Sequence, residues 1–194
     1  MLLVFCHPRA DSYAAALRDA TVRGLQRAGH AVEVRDLHAE GFRPGLTAEE
    51  HARVHEPGAN LEGVEDHAAS LRAADALVLV YPTWWYGMPA TLKGWFDRVW
   101  VAGLAFRLGS GAIEPALTNI RRIAVVTTYG SPLWLLWWIG WPDRRVMGQA
   151  IRRLCAPRCR VEWHALTDMD HRARPALEAH LARVEAAFAR WRDA

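Results

Sequence analysis

Ala76-Leu-Val-Leu-Val-Tyr81 is an unbroken apolar run, and Pro82-Thr-Trp-Trp-Tyr-Gly-Met-Pro89 follows it directly. A short run that is apolar at every position predicts a strand buried on both faces. Pro89 marks the start of a helix. Beyond it, Leu92, Trp95, Phe96, Val99 and Trp100 recur at i, i+3, i+4, i+7 and i+8, which is one continuous apolar face. A buried strand feeding an amphipathic helix is the repeating unit of an α/β sheet.

The same alternation extends to both ends of the chain. Leu2–Cys6 predicts a first buried strand. Asp11 or Ser12 can cap a helix that runs to about Ala28 and ends at Gly29. Ala31–Arg35 alternates and reads as a second strand, parallel to the first because a helix connects them. Gly41–Asn60 reads as loop with a short helix, where Thr47 and Glu50 form a capping-box pattern. Val64–Ala74 predicts a helix, Ile123–Thr128 a fourth strand and Arg160–Leu166 a fifth. A helix is expected from Pro142–Asp143 to Leu154. The last helix aligns Leu177, Leu181, Val184, Phe188 and Trp191 on one stripe. The fold class is therefore α/β, a doubly wound five-stranded parallel sheet with helices on both faces. No repeat or linker interrupts residues 1–194, which predicts a single domain.

Composition narrows the partners. The 24 Lys+Arg nearly balance 21 Asp+Glu, giving a net charge of +3, and Lys93 is the sole lysine. The arginine clusters at Arg122, Arg152–Arg153 and Arg172–Arg174 are scattered, so solvated surface is expected rather than nucleic-acid binding. Cys6, Cys155 and Cys159 form no CxxC pair, which predicts reduced, buried thiols and no metal site. Pro132–Pro142 is the longest apolar run, far short of the roughly 20 residues that span a bilayer. Met1–Cys6 reads as a strand rather than a signal peptide, so a cytoplasmic protein is expected.

Ligands of doubly wound sheets bind beyond the carboxyl ends of the strands. No G-x-G-x-x-G follows the first strand and no G-x-x-x-x-G-K-[ST] occurs, which removes the main support for dinucleotide Rossmann and P-loop sites. The first turn, His7 to Tyr13, enters a helix N-terminus, whose amides and dipole favour a phosphate. An ordinary capped turn explains it equally well. The third turn places Trp84, Trp85 and Tyr86 between two prolines. Exposing three aromatics is costly, so they suit a planar, largely apolar ligand better than core packing. The fourth turn, Thr127 to Pro132, offers hydroxyls and amides for a polar ring edge.

Tyr81–Val99, YPTWWYGMPATLKGWFDRV, resembles the flavin-contact segment of the NAD(P)H:quinone oxidoreductase (DT-diaphorase-like) family, whose fold is flavodoxin-like. His7 followed by Ser12-Tyr13, and Thr127-Thr128 followed by Gly130, resemble two further motifs of that family. The resemblance implies that His7, Ser12 and Tyr13 hold the flavin phosphate and ribityl side. It implies that Pro82, Thr83, Trp84, Trp85 and Tyr86 line the isoalloxazine, and that Thr127, Thr128 and Gly130 bind its pyrimidine end. It further implies FAD, with FMN possible, and NADH or NADPH as electron donor. A ping-pong cycle would then deliver two electrons to quinone-like acceptors. The chain departs from the family at Ala14, where Asn is usual, and at Tyr129, where Gly is usual. Ser131–Trp141 also lacks the family's Tyr and His, which leaves Tyr129 as the nearest candidate for a catalytic hydroxyl. A flavodoxin-type electron carrier and a flavin-binding regulatory subunit of a potassium-efflux system share the fold and stand as alternatives.

Trp134, Trp137, Trp138 and Trp141 crowd Leu133–Trp141. They fit a pocket wall next to the flavin, a homodimer contact, or a peripheral membrane contact. Pocket wall and dimer contact together are the favoured expectation.

Overall fold

The computed structural model describes residues 1–109 and 111–192; the remaining three, which the single-domain expectation includes, lie outside the described residues. The strands are β1 (Leu2–Phe5), β2 (Glu33–Asp36), β3 (Ala76–Pro82), β4 (Phe106–Leu108), β5 (Ile113–Pro115), β6 (Arg122–Thr128) and β7 (Arg160–Leu166). Five of them form one all-parallel sheet in the order β2-β1-β3-β6-β7. β4 and β5 pair apart from it as an antiparallel ribbon. The helices are α1 (Tyr13–Arg27), α2 (Ala48–Ala52), α3 (Glu65–Ala73), α4 (Ala90–Val99), α5 (Leu133–Ile139), α6 (Pro142–Arg145) and α7 (Arg174–Phe188).

β3 is the central strand, and its sequence shows why. Leu77, Leu79 and Tyr81 join one apolar cluster with Leu2, Val125, Leu92, Trp95 and Val99, under α3 and α4. Ala76, Val78 and Val80 join the opposite cluster with Leu3, Phe5, Leu17, Val126 and Phe188, under α1 and α7. Each large apolar side chain removed from water in these clusters stabilises the fold by about 1.5–3 kcal/mol. The α4 stripe is buried along its whole length, from Leu92 to Trp100.

Gly24 sets the approach of α1 to α7. A Cβ there would stand 2.6 Å from the Glu185 carbonyl oxygen and 2.7 Å from Phe188 Cβ. On the other face, the buried Arg98 donates from Nη1 to the Arg43 carbonyl (2.7 Å) and from Nη2 to Glu50 Oε1 (2.6 Å). Glu50 also completes the capping box with Thr47 that the sequence predicts. The Thr47 amide holds the Glu50 carboxyl below its usual range, with Arg98 and Arg43 adding to the effect and burial opposing it.

Four local expectations need correction. The second strand is Glu33–Asp36 rather than Ala31–Arg35, because its register is fixed opposite Leu2–Phe5. The helix expected from Pro142 to Leu154 ends as α6 at Arg145. The chain continues as a wider π turn over Val146–Ala150 and a 3-10 turn over Ile151–Leu154. The wider turn re-phases the face and lets Met147, Ile151 and Leu154 all reach the same core. Neither the β4–β5 ribbon nor α5 was anticipated. Both are short, and α5 lacks the polar face by which periodicity identifies a helix.

Gly24→Ala should lower stability by about 1–3 kcal/mol in urea unfolding, because the backbone of α7 must move to admit the methyl group. Unchanged stability would show that α1 and α7 are less tightly coupled.

Candidate functional site

β1, β3 and β6 are neighbours in the sheet, so the turns that follow them open at the same edge. β3 and β6 run in register to their ends, with Tyr81 opposite Thr127 and Pro82 opposite Thr128. The Thr83 amide then donates to the Thr128 carbonyl (2.9 Å), and the Thr83 and Thr127 hydroxyls share a hydrogen bond (2.9 Å). Trp84 and Gly87 exchange two backbone hydrogen bonds, which closes a tight turn. Within it Trp85 (φ 48°) and Tyr86 (φ 60°) are left-handed. That conformation costs bulky residues of order 1–3 kcal/mol each and tends to occur at functional sites. Trp85 is 93% exposed as a result. The Tyr86 hydroxyl reaches Ser131 Oγ (3.2 Å) and clips the third turn to the fourth.

Thr83, Trp85, Tyr86, Tyr129, Gly130 and Ser131 line one cleft of about 220 Å³. Thr83, Trp85, Tyr86 and Gly130 are thus brought together as the sequence suggests. Thr127 and Thr128 are buried beneath them, and Thr127 acts through its bond to Thr83. Pro82 ends β3 half-buried, and Trp84 stands exposed beside the turn. A Cβ at Gly130 would stand 2.7 Å from Asp170 Oδ2, the tip of an exposed side chain that would have to swing aside.

The first turn lies apart from this lining. Ser12 caps α1, its hydroxyl oxygen accepting from the Ala15 amide (3.1 Å). His7 Nδ1 accepts from the Arg9 amide (3.0 Å), and the Arg9 guanidinium pairs with Asp11 (2.9 Å). The Tyr13 hydroxyl points to α7, donating to the Leu177 carbonyl (3.0 Å) and lying 2.9 Å from His180 Nδ1. Burial pushes the Tyr13 hydroxyl up to about 12 and the His180 imidazole down to about 4. Tyr13 therefore contributes backbone, not a free hydroxyl, to the helix start.

Tyr129 lines the cleft, yet its hydroxyl is donated inward to Asp143 Oδ2. Asp143 is only 3% exposed, and its other oxygen accepts from the Arg144 amide (2.8 Å). Burial and then the Asp143 carboxylate drive the Tyr129 pKa far above its ordinary value. Burial likewise raises the Asp143 carboxyl, opposed by the hydrogen bonds it accepts. The hydroxyl expected to serve catalysis is thus committed to anchoring. Asp143 was not singled out from sequence. Its signal was available: it is the sole carboxylate between Ser131 and Ala156.

The Trp-rich segment does not line this cleft. Trp137 and Trp141 wall a second groove of about 550 Å³ with Leu133, Gly140, Arg144 and Arg145. Trp134, Trp137 and Trp138 are exposed. Lys93 and Asp97 pair with each other on the outer face of α4. All three cysteines are buried and free. Among the described residues, no helix is long and apolar enough to cross a membrane.

Sheet order and site turns together define a flavodoxin-like α/β protein, and the sequence profile of the flavodoxin-like fold matches residues 1–188. A solved NAD(P)H:quinone oxidoreductase from Methanothermobacter marburgensis superposes with a TM-score of 0.83. It is 30% identical, over 97% of this chain and 94% of that one. NAD(P)H dehydrogenase (quinone) 1 of Rattus norvegicus is 30% identical over 146 residues, 67% of this chain and 53% of that protein. The chain spans about half to two thirds of the length of the curated relatives it matches. The chain belongs to the flavodoxin-like NAD(P)H:quinone oxidoreductase family. An FMN-dependent NADH-azoreductase from Bacillus anthracis, solved with FMN, shares the fold at 15% identity and a TM-score of 0.72, over 97% of each chain.

Tyr129→Phe should cost about 1–3 kcal/mol in urea unfolding, because Asp143 loses a donor in a buried position. The pH dependence has a definite sign. A carboxyl raised in the folded state binds its proton more tightly there than in the unfolded chain. The Asp143 contribution to stability therefore falls as pH rises from the ordinary carboxylate range through the raised value. Asp143→Asn should flatten that part of the stability–pH curve; an unchanged slope would assign it to other groups.

Proposed function

We propose that this edge of the sheet holds a flavin, and that the protein is an NAD(P)H-dependent oxidoreductase acting on quinone-like acceptors. The observation that carries the reading is the clip between the third and fourth turns. It sets an aromatic wall, Trp85 and Tyr86, beside the hydroxyls and amides of Thr83, Gly130 and Ser131. That mixture fits a plane with an apolar face and a polar edge. The Tyr129 amide donates to the Leu166 carbonyl (2.8 Å), which leaves the Gly130 and Ser131 amides as the donors of this turn.

At the first turn, the Ser12 hydroxyl oxygen accepts from the Ala15 amide, and its own proton remains available to donate. At the positive end of α1 it would donate to a flavin phosphate. Arg9 is paired with Asp11, which leaves His7 and the turn amides as the further donors there. Trp85 and Tyr86 would exclude water from the ring face and orient it. When bound, the flavin would supply the redox chemistry, taking hydride from NADH or NADPH and then passing two electrons to an acceptor at the same place. The protein contributes position and donors for the negative charge that reduction creates. The likeness of Tyr81–Val99 to FAD-using members favours FAD. FMN is the flavin of the azoreductase that shares the fold.

The purified protein should be yellow, and mass measurement of the extracted cofactor should distinguish FAD from FMN. It should oxidise NADH or NADPH with menadione, giving parallel double-reciprocal lines. A colourless protein that takes up neither flavin would sink the reading. A coloured one without acceptor-dependent oxidation would transfer it to the carrier or regulatory class. Trp85→Gly should raise stability by about 1 kcal/mol, because glycine accepts the left-handed conformation. The same change should weaken flavin retention about tenfold, a loss of roughly 1.4 kcal/mol of contact. Fluorescence titration and thermal melts read the two effects separately.

A further inference from the structure

The loop that joins the Ile151–Leu154 turn to β7 carries two of the three cysteines, in the sequence Cys155-Ala-Pro-Arg-Cys159. Its two ends are held by consecutive residues leading into β6. The Ala156 amide donates to the Ile120 carbonyl (3.0 Å), and the Arg160 amide donates to the Arg121 carbonyl (3.1 Å). The loop therefore leaves and returns within about one residue's rise, roughly 3.3 Å. The Cys159 amide closes it on the Ala156 carbonyl (2.8 Å). Both cysteines are 1% exposed and belong to the same apolar cluster, so their side chains enter one core from adjoining points. A disulfide requires close Cα atoms and converging side chains. A loop that returns on itself with both thiols turned inward meets that requirement.

The pair is chemically asymmetric. With both protons in place, Cys155 donates to the Ile151 carbonyl (3.7 Å) and Cys159 to the Arg160 carbonyl (3.8 Å). Once one proton leaves, the other thiol can donate to the sulfur that lost it. Such a bond from Cys155 pulls the Cys159 thiol below its ordinary value; burial opposes it and the Arg152 charge adds to it. The same bond, with burial, pushes Cys155 far above its ordinary value. Cys159 is therefore the thiolate, and Cys155 keeps the proton. Cys6 is the contrast: burial pushes its thiol up to about 11, and it touches His38 Nε2 (3.8 Å) rather than a second thiol. Reactive thiols also need an electropositive and partly accessible setting. Pro157 and Arg158 are exposed, and a groove of about 490 Å³ runs along Arg121, Ala156, Pro157, Arg158 and Arg160. That lining includes the residues next to both cysteines. It lies at the amino ends of β6 and β7, the opposite edge of the sheet from the flavin cleft.

We propose that Cys155 and Cys159 form a thiol–disulfide site that reacts with small hydroperoxides. A bulky oxidant cannot reach sulfurs buried to this degree, which sets the class of reactant. The Cys159 thiolate attacks one peroxide oxygen. An S–O bond forms, the O–O bond breaks, and the departing oxygen takes a proton from solvent to leave as water or an alcohol. The Cys155 thiol then attacks the Cys159 sulfur. The S–S bond forms, the S–O bond breaks, and the hydroxide leaves with the Cys155 proton as water. The two thiols lose two electrons and two protons, and one hydroperoxide gains them. Oxidation fastens the Ile151–Leu154 turn to the start of β7. Neither flavin nor nicotinamide enters the step, so the site stands apart from the proposed oxidoreductase reaction.

The test treats the intact protein with hydrogen peroxide, without nicotinamide or acceptor, and then denatures and alkylates it. Titratable thiols should fall from three to one, the survivor being Cys6. Trypsin cleaves after Arg153, Arg158 and Arg160, so the disulfide should appear as Leu154–Arg158 joined to Cys159–Arg160. The joined peptides should be lighter by two hydrogens than the free pair and should separate on reduction. The Cys155 and Cys159 thiols should be lost at least about tenfold faster than that of Cys6. In Cys155→Ser, Cys159 should stop at sulfenic acid and be trapped by dimedone. In Cys159→Ser, Cys155 should stay reduced. Melting curves check that the variants fold, and the peptide map of the unaltered protein decides the matter without them. Survival of all three thiols, loss of Cys6 at the same rate, or a link that joins Cys6 or two chains would overturn the proposal.

Discussion

Seven successive residue pairs join β3 to β6, from Ala76 opposite Arg122 to Pro82 opposite Thr128. This parallel pairing delivers the third and fourth turns to the same edge at the same height. The Thr83–Thr127 bond and the Tyr86–Ser131 bond form only because the strands end level. A shift of one residue would turn every side chain of β3 to the opposite core and separate the turns. Register is held by burial on both faces, which makes such a slip expensive.

The site is built on that frame from locally unfavourable parts. Two adjacent bulky residues are left-handed, and one of them projects a tryptophan into solvent. The opposing turn is fixed from below. Tyr129 is bound through its amide to Leu166, through its carbonyl to Met169 and through its hydroxyl to Asp143. A strained, exposed turn facing a rigid, buried one gives a cleft whose shape is set before any ligand arrives. Tyr129 illustrates the trade. A glycine at this place would keep the two backbone bonds and lose the third; the tyrosine side chain ties the turn to the start of α6.

That connection makes Asp143 a common anchor for two surfaces. It anchors the cleft through Tyr129, and it is followed immediately by the exposed Arg144 and Arg145. The cleft and the tryptophan-rich face are therefore parts of one rigid corner, rather than one pocket as the composition of the loop suggests.

Periodicity and apolar runs determined the five parallel strands and the buried stripes of α4 and α7, because burial on a regular element leaves a regular pattern. The Thr47–Glu50 capping box was legible for the same reason, and so was a cap for α1 at Asp11 or Ser12, which the structure resolves to Ser12: each is a local bond between near neighbours in sequence. The β4–β5 ribbon carried a weaker signal, Gly109 and Gly111 between two short strands, that periodicity alone passes over. The aromatic third turn stood out from its residues as a candidate site, and Thr83, Trp85 and Tyr86 do line one cleft. What tertiary structure alone decided was where hydroxyls point. Tyr129 and Tyr13 look equally available in sequence. Their hydroxyls are taken by Asp143, fourteen residues away, and by Leu177, 164 residues away. It also decided that the four tryptophans after Pro132 wall a separate surface, since the exposure of a helix apolar on every side depends on what packs against it.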